Sequence, residues 1–330
     1  LDRVQRWYRE RALAPRVQVP ATLDGSPGPS DQVSELCERR GWAAEPWTLV
    51  MVRELSATGP SRSDDLGRPA LDLRSLPTIE RAMNDVRPTL VINTAAYTAV
   101  DAAESDEAAA LALNATGAGE IALAAAARNV PIIHISTDYV FDGTKAGAYV
   151  ETDATGPQGA YGRTKLAGER AVAKANPRHL ILRTSWVYSA TGKNFLRTML
   201  RVGAERSEVS VVDDQIGCPT YAPHLADTIL HIARRALSAA DGPAPWGIYH
   251  AAGSGETTWC AFAREIFRQA AALGAPSPAV KAITTADYPT PAKRPANSRL
   301  DCTALERGFG TRLPDWHEGL SACLARLLKP

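Results

Sequence analysis

The chain lacks the charge excess, the cysteine spacing and the long apolar runs that would assign it to nucleic acid, the cell exterior or a membrane. Its 37 Lys and Arg stand against 36 Asp and Glu, a net charge of +1, which leaves no electrostatic footprint for nucleic acid or an anionic surface. Cysteine is scarce. Cys37, Cys218, Cys260, Cys302 and Cys323 are odd in number, widely spaced and never form C-x-x-C, so reduced thiols are expected rather than a disulfide frame. No unbroken apolar run reaches the roughly 18–20 residues that span a bilayer, and Leu1-Asp2-Arg3-Val4 lacks the basic-then-apolar order of a signal peptide. The six His show no H-x-x-x-H or similar spacing and the acids form no cage, so a metal site is unknown. These absences predict a cytoplasmic enzyme with neither nucleic acid nor membrane among its partners.

Glycine is missing where it is most needed. A nucleotide-binding α/β chain opens with a strand, a Gly-rich turn and a helix whose N-terminus takes a pyrophosphate. Residues 1–58 hold only Gly25, Gly28 and Gly41, at no such spacing, and the run at 25–29 is too rich in proline to open a helix. Trp47 to Val52 reads as a strand, but Arg53-Glu54-Leu55 follows in place of glycines. Residues 1–53 are therefore expected to form an atypical segment in place of the first βα unit. Residues before about Trp42 should pack poorly or lack an open anion-binding turn. The sheet should then lack its proper central strand and leave Leu90 to Ile92 partly uncovered.

What is present begins with 45% apolar residues, ample for a packed interior at this length. Ala70-Leu71-Asp72-Leu73 reads as a strand end. Leu90–Asn93, Pro131–Ile135 and Leu180–Arg183 are short β-branched runs that read as strands buried on both faces, and Glu104–Arg128 and Gly159–Ala175 between them are rich in helix formers. This alternation predicts an α/β fold, a Rossmann-like doubly wound parallel sheet over 54–189, with a ligand crevice at the strands' carboxyl ends. Residues 190–330 read as a smaller, interwoven C-terminal substrate lobe, with Ala286–Arg299 an irregular loop and some segments returning to the core.

Tyr161 and Lys165 lie four apart on the 159–175 helix and so project from one face. An ammonium beside a phenol lowers its pKa from about 10 and makes it a usable proton donor. Ser136 or Thr137, at a strand end, supplies a hydroxyl to polarise a carbonyl during hydride transfer. Tyr-x-x-x-Lys alone is a weak signal, and the company it keeps gives it weight. Asn114, inside a helix, either reaches toward the site or is a buried amide satisfied by backbone.

Asn93-Thr94-Ala95-Ala96-Tyr97-Thr98-Ala99-Val100-Asp101, Ser136-Thr137-Asp138-Tyr139-Val140-Phe141, Tyr161-x-x-x-Lys165 and Thr184-Ser185-Trp186-Val187-Tyr188 occur in order. Asn194-Phe195, Asp213-Asp214-Gln215-x-Gly217-x-Pro219-Thr220, Pro291-Ala292-Lys293-Arg294-Pro295-x-Asn297-Ser298-Arg299-Leu300 and Leu313-Pro314-Asp315-Trp316 follow. From about Arg68 onward the chain resembles the dTDP-4-dehydrorhamnose reductase family of extended short-chain dehydrogenases/reductases. The resemblance implies reduction of the 4-keto group of dTDP-6-deoxy-L-lyxo-4-hexulose to dTDP-L-rhamnose for cell-envelope glycans, with NADPH or NADH. It implies catalysis by Tyr161, Lys165 and Thr137. Asp72, Leu73, Ala95, Ala96, Tyr97, Thr98 and Ile135 would line the cofactor together with Tyr161 and Lys165, and Arg62, in a loop after a second strand, would suit a 2′-phosphate. A carboxylate such as Asp72 could equally close a turn. Thr137, Asp138 and Trp186 would meet the sugar, and Arg294, Asn297 and Arg299 the diphosphate. A homodimer, and Mg²⁺ at a dimer contact, are within the family's range. Two alternatives stay open: a catalytically impaired sugar-nucleotide-binding relative, which the missing glycines favour, and an epimerase or 4,6-dehydratase of the same fold, which Tyr139 after Thr137-Asp138 disfavours.

Overall fold

The computed structural model describes residues 49–54, 62–66, 71–238 and 245–328. The expectations for residues before Trp42 lie outside them. The main sheet is built from β1 (Leu49–Glu54), β2 (Arg62–Leu66), β3 (Leu90–Asn93), β4 (Ile132–Thr137), β5 (His179–Thr184) and, from far along the chain, β10 (Gly247–His250). Their order across the sheet is β10-β5-β4-β3-β1-β2. The pairs β3–β4, β4–β5 and β5–β10 are parallel, as expected. The other flank departs from the expected parallel sheet, because β1 runs antiparallel to both β3 and β2. Arg62, expected in a loop, opens β2, and its side chain lies outside the described residues.

Two helical layers cover the sheet. On one face lie α1 (Leu76–Val86) and the helix Glu107–Ala126 (α3, following the short α2, Val100–Ala103). Ile79, Met83, Ile121, Ala122 and Ala125 of these helices pack with Val91, Ile132 and Ile181. On the other face α6 (Ala222–Leu237) and α8 (Thr303–Phe309) bring Ile229, Ile232, Leu305 and Phe309 against Leu90, Ile92, Ile133 and Leu182. Side chains of a strand point alternately up and down, so it is these helices, and not a neighbouring strand, that cover β3. Leu90, Val91 and Ile92 are accordingly buried, at 0%, 0% and 4% exposure. The expectation that they would be partly uncovered is corrected on that ground.

Helix α3 is long and apolar enough to cross a membrane, although Asn114, Thr116 and Glu120 interrupt its apolar run. The fold buries Ala110, Ala118, Ile121 and Ala125 of α3 in the protein core. Its middle turn, Ala112–Gly117, widens to a π-helix, a local insertion frequent at functional sites. There Gly117 lies so close to the 71–75 segment that a Cβ would sit 2.7 Å from the Leu73 carbonyl oxygen. Leu71–Leu73, expected as part of a strand end, is no strand: the Asp72 carbonyl accepts the Ser75 N–H at 2.9 Å and closes a turn leading into α1.

The catalytic-helix candidate α4 (Ala160–Ala175) crosses between β4 and β5, with Val172 in the core under it. Beyond β5 the chain builds the lobe. It comprises β6 (Val187–Tyr188), α5 (Phe195–Glu205), β7 (Glu208–Val212), β8 (Ile216–Gly217), β9 (Thr220–Tyr221), β11 (Thr257–Thr258), α7 (Trp259–Ala271), β12 (Ala279–Ile283), β13 (Asn297–Ser298) and α9 (Trp316–Leu328). Leu196, Phe262, Phe267, Trp316 and Leu320 fill its core. The strands β11-β8-β13 form a small sheet, so the expected loop at 286–299 ends in a strand.

Candidate active site

The carboxyl end of β4 delivers Ser136, Thr137 and Asp138, and α4 delivers Tyr161, Lys165 and Glu169 on successive turns of one face. The first turn of α4 is fixed by Glu104, whose Oε1 accepts the Ala160 N–H at 2.8 Å. The Thr137 hydroxyl donates to Asp138 Oδ1 at 3.0 Å and accepts the Tyr139 N–H at 3.2 Å. Thr137 also faces the Tyr161 phenol. Tyr139 packs edge-on against Tyr161, with ring centroids 5.6 Å apart. Tyr161, Thr137 and Asp138 therefore converge as expected.

Lys165 is almost fully buried, and its Nζ donates to the Ile135 carbonyl at 2.6 Å. Burial lowers its pKa to about 8, while the Glu169 carboxylate one turn on opposes the shift. Tyr161 behaves differently from expectation. Burial raises its pKa well above the ordinary phenol value, the Asp138 carboxylate raises it further, and the opposing contact is the Thr137 hydroxyl, not the Lys165 ammonium. The physical reason is that Lys165 points to Ile135 O while the phenol shares its pocket with an acid. The phenol is consequently fully protonated at neutral pH, which is the form a proton donor must hold at rest. Asp138 is itself pushed up to about 6 by burial, against the pull of Ser298 and Thr137, and its Oδ2 has no hydrogen-bond partner.

Beneath these groups lies a polar network that sequence reasoning missed. Arg183 on β5 holds Glu169 in a two-pronged pair (2.9 and 2.7 Å), and the Ser136 hydroxyl donates to the same carboxylate at 2.6 Å. The pair is buried, at 3% and 2% exposure. Its sequence signal was present: an acid four residues past a helical Lys reads as a one-face pair.

Asn114 satisfies both of its open readings. Its Oδ1 accepts the Tyr97 N–H at 2.6 Å, and its Nδ2 donates to Tyr97 O and to Thr164 Oγ1 on α4. It thus binds the loop after β3 to α4. In that loop Ala95 and Ala96 are buried, Tyr97 is half-buried and Thr98 is exposed. Asp72 clamps its own turn, pairing with Arg74 at 2.7 Å, and Leu73 is a core residue. These placements correspond to the turn-closing alternative rather than an open cofactor contact for the Asp72 carboxylate.

On the lobe side, Trp186 is half-buried with a left-handed backbone, φ 48°, a conformation that costs a non-glycine residue roughly 1–2 kcal/mol. Arg294 donates through Nη2 to Asp101 at 2.7 Å, and its buried Nη1 has no partner. Asn297 is a correction. Its Nδ2 donates to Lys145 O and Gly147 O, while its Oδ1 accepts from Arg299 N and Nε. With both amide hydrogens and both lone pairs engaged, it ties loops together and offers nothing to a diphosphate. Ser298, beside it, is the residue that reaches the site, through Asp138.

The nicotinamide-ribose end of a cofactor fits these residues: small Ala95 and Ala96 line the loop, and Lys165 commits one of its three ammonium hydrogens to Ile135. The segment expected to take the pyrophosphate lies outside the described residues. Among the described residues no cluster of three His, Cys, Asp or Glu could hold a metal ion.

The profile of the RmlD substrate binding domain matches residues 49–329. The chain belongs to the dTDP-4-dehydrorhamnose reductase family. The dTDP-4-dehydrorhamnose reductase of Sinorhizobium fredii is 50% identical over 263 residues, covering 80% of this chain and 88% of that relative. The Escherichia coli K12 reductase is 45% identical over 251 residues, 76% and 83% of the two chains. The Bacillus anthracis dTDP-4-dehydrorhamnose reductase, solved in complex with NADP, superposes with a TM-score of 0.73 at 35% identity, covering 79% of this chain and 89% of that one. Membership in this reductase family makes the chain an oxidoreductase.

Proposed function

We propose that the chain reduces the 4-keto group of dTDP-6-deoxy-L-lyxo-4-hexulose to dTDP-L-rhamnose, with NADPH as the favoured cofactor. The observation that carries this reading is the convergence of Tyr161, Thr137 and Lys165 at the carboxyl end of β4, in a chain 50% identical to a named reductase. NADP in the Bacillus anthracis relative supports the choice of NADPH.

The nicotinamide, when bound, supplies the hydride. Thr137 and Tyr161 present two hydroxyls to the substrate's carbonyl oxygen, and Tyr161 gives its proton to the alkoxide that forms. Lys165 directs its remaining N–H groups at the ribose, from a helix that Asn114 and Glu104 hold in place. Asp138 accepts a sugar hydroxyl at Oδ2, which nothing else satisfies. The partnerless Arg294 Nη1, buried beside Asp101, suits an oxygen of the diphosphate, because an unmatched buried guanidinium N–H is costly without an acceptor.

A second reading, a sugar-nucleotide-binding relative with impaired catalysis, is favoured by one observation: residues 1–58 of the sequence hold only Gly25, Gly28 and Gly41, at no phosphate-turn spacing. Titration with NADPH, followed by nicotinamide fluorescence, decides between them. Micromolar binding, with NADPH oxidation once the keto sugar is added, supports the reductase. No binding at millimolar NADPH overturns it in favour of the impaired relative.

A further inference from the structure

We infer that Trp259 is a positioning residue for the sugar subsite: together with Gly217 it holds Trp186 in its left-handed conformation, so that the indole stands as the wall against which the sugar of the nucleotide sugar packs. The inference rests on the proposed function and names a determinant of that site beyond Trp186 itself.

Three independent features meet at this indole. Trp186 stacks on Trp259 with ring centroids 3.5 Å apart and planes 10° from parallel. Its edge lies over Gly217 so closely that a Cβ there would sit 2.4 Å from Trp186 Cε2. Its backbone is held at φ 48°, with its carbonyl accepting the Thr220 N–H. An aromatic side chain does not adopt that backbone without compensating contacts.

The ladder of the small sheet explains how these parts come together. Thr257 of β11 pairs with Gly217 of β8, which sets Trp259, two residues on, at the start of α7 above the same strand. Gly217 also pairs with Ser298 of β13, the residue facing Asp138. One short strand therefore fixes the aromatic wall on one side and the acid on the other. Trp259 is anchored in turn, since Phe195 lies 4.5 Å from it and stacks on the fully buried Phe262. Trp186 and Trp259 are both half-buried, so a face of this aromatic ladder remains for a ligand. Aromatic rings bind the apolar face of a sugar at little conformational cost.

The test compares binding of dTDP-L-rhamnose with binding of dTDP, which lacks the sugar, by calorimetry on the full chain. Circular dichroism of the coupled indoles reads the stacking, and NADPH oxidation with the keto sugar is run in parallel. Trp259→Ala is expected to weaken dTDP-L-rhamnose about tenfold, leave dTDP unchanged and abolish the indole couplet. Trp259→Phe is expected to lose the couplet yet recover most of the affinity, because a ring again supports Trp186. Gly217→Ala, which pushes the indole aside, should reproduce the sugar-specific loss. Equal weakening of both ligands, or unchanged dTDP-L-rhamnose binding by Trp259→Ala once its couplet is gone, would overturn the positioning role. So would a wild-type protein that binds dTDP-L-rhamnose no better than dTDP. Absence of NADPH turnover by a wild-type protein that still discriminates the sugar overturns the reductase reading and leaves this inference standing.

Discussion

The two flanks of β3 are built on different principles. Toward β4 and β5 the strands are parallel, and their carboxyl ends carry Thr137, Asp138 and Arg183, with α4 locked above them. Toward β1 and β2 the pairing is antiparallel, with the register broken between Val52 and Glu54. A parallel strand delivers its carboxyl end to the crevice and feeds a helix whose N-terminus faces a ligand. An antiparallel neighbour presents its amino end there instead. The chemistry of this molecule is concentrated on the β4–β5 flank, and the hydrophobic layers that cover β3 are built with β4, β5 and the helices. Core and site can thus part company: helices that cover β3 keep it buried whichever way its neighbour runs.

The largest expected effect lies on the parallel flank. Arg183→Met strands the buried Glu169 carboxylate and should cost about 3–5 kcal/mol in urea denaturation. Asp72→Asn, which breaks the half-exposed pair with Arg74 (47% and 26% exposed), should cost under about 1 kcal/mol. Similar losses at the two sites would erase the contrast. Next is Tyr161→Phe, for which kcat should fall at least about a hundredfold, as loss of a general acid implies, with NADPH affinity little changed. Near-normal turnover would remove Tyr161 as proton donor.

A pH profile sharpens the same flank. The pKa of Lys165 is lowered to about 8, so its ammonium is complete below that pH and lost above it. In the free enzyme kcat/KM for NADPH should therefore drop as pH rises through about 8, by roughly tenfold per unit beyond it. A profile flat to pH 10 would mean that the charge of Lys165 is not needed. The smallest effect compares the flanks within one strand. The Val91 N–H donates to Pro131 O on the β4 side, while Ile92 is paired with Val50 of β1. Amide exchange at Ile92 should be several-fold faster than at Val91, because a hairpin edge opens more readily than the sheet interior. Equal protection would make β1 a full member of the core.

How far the sequence disclosed all this follows the same division. Strands buried on both faces and the Tyr161–Lys165 helix were legible, because apolar runs, helix formers and four-residue spacing are local signals. The direction of β1 was not, since a β-branched run reads alike in either orientation. Asp138 with Ser298, and Trp186 with Trp259, were equally hidden as pairs: each joins segments far apart in the chain, and nothing near either residue announces its partner. The protonation of Tyr161 was misread for a related reason. Spacing shows that Lys165 shares its face, but only the fold shows that the ammonium turns to Ile135 while Asp138 occupies the phenol's surroundings.

Gly168 on α4 meets the Asn114 carbonyl so closely that a Cβ would sit 2.0 Å from the oxygen. Two helices in backbone contact, cross-tied by the Asn114 amide to Thr164, leave no room for one to roll or slide past the other. Ordering of the phenol and the ammonium is then a cost already met when the chain folds, not when a ligand arrives. Binding free energy that a looser helix would lose in fixing those groups stays available to hold the sugar nucleotide. The price of that rigidity is a position where the chain tolerates only glycine: a methyl group at 168 would force the two helices apart and disturb the fold together with the placement of the phenol and the ammonium.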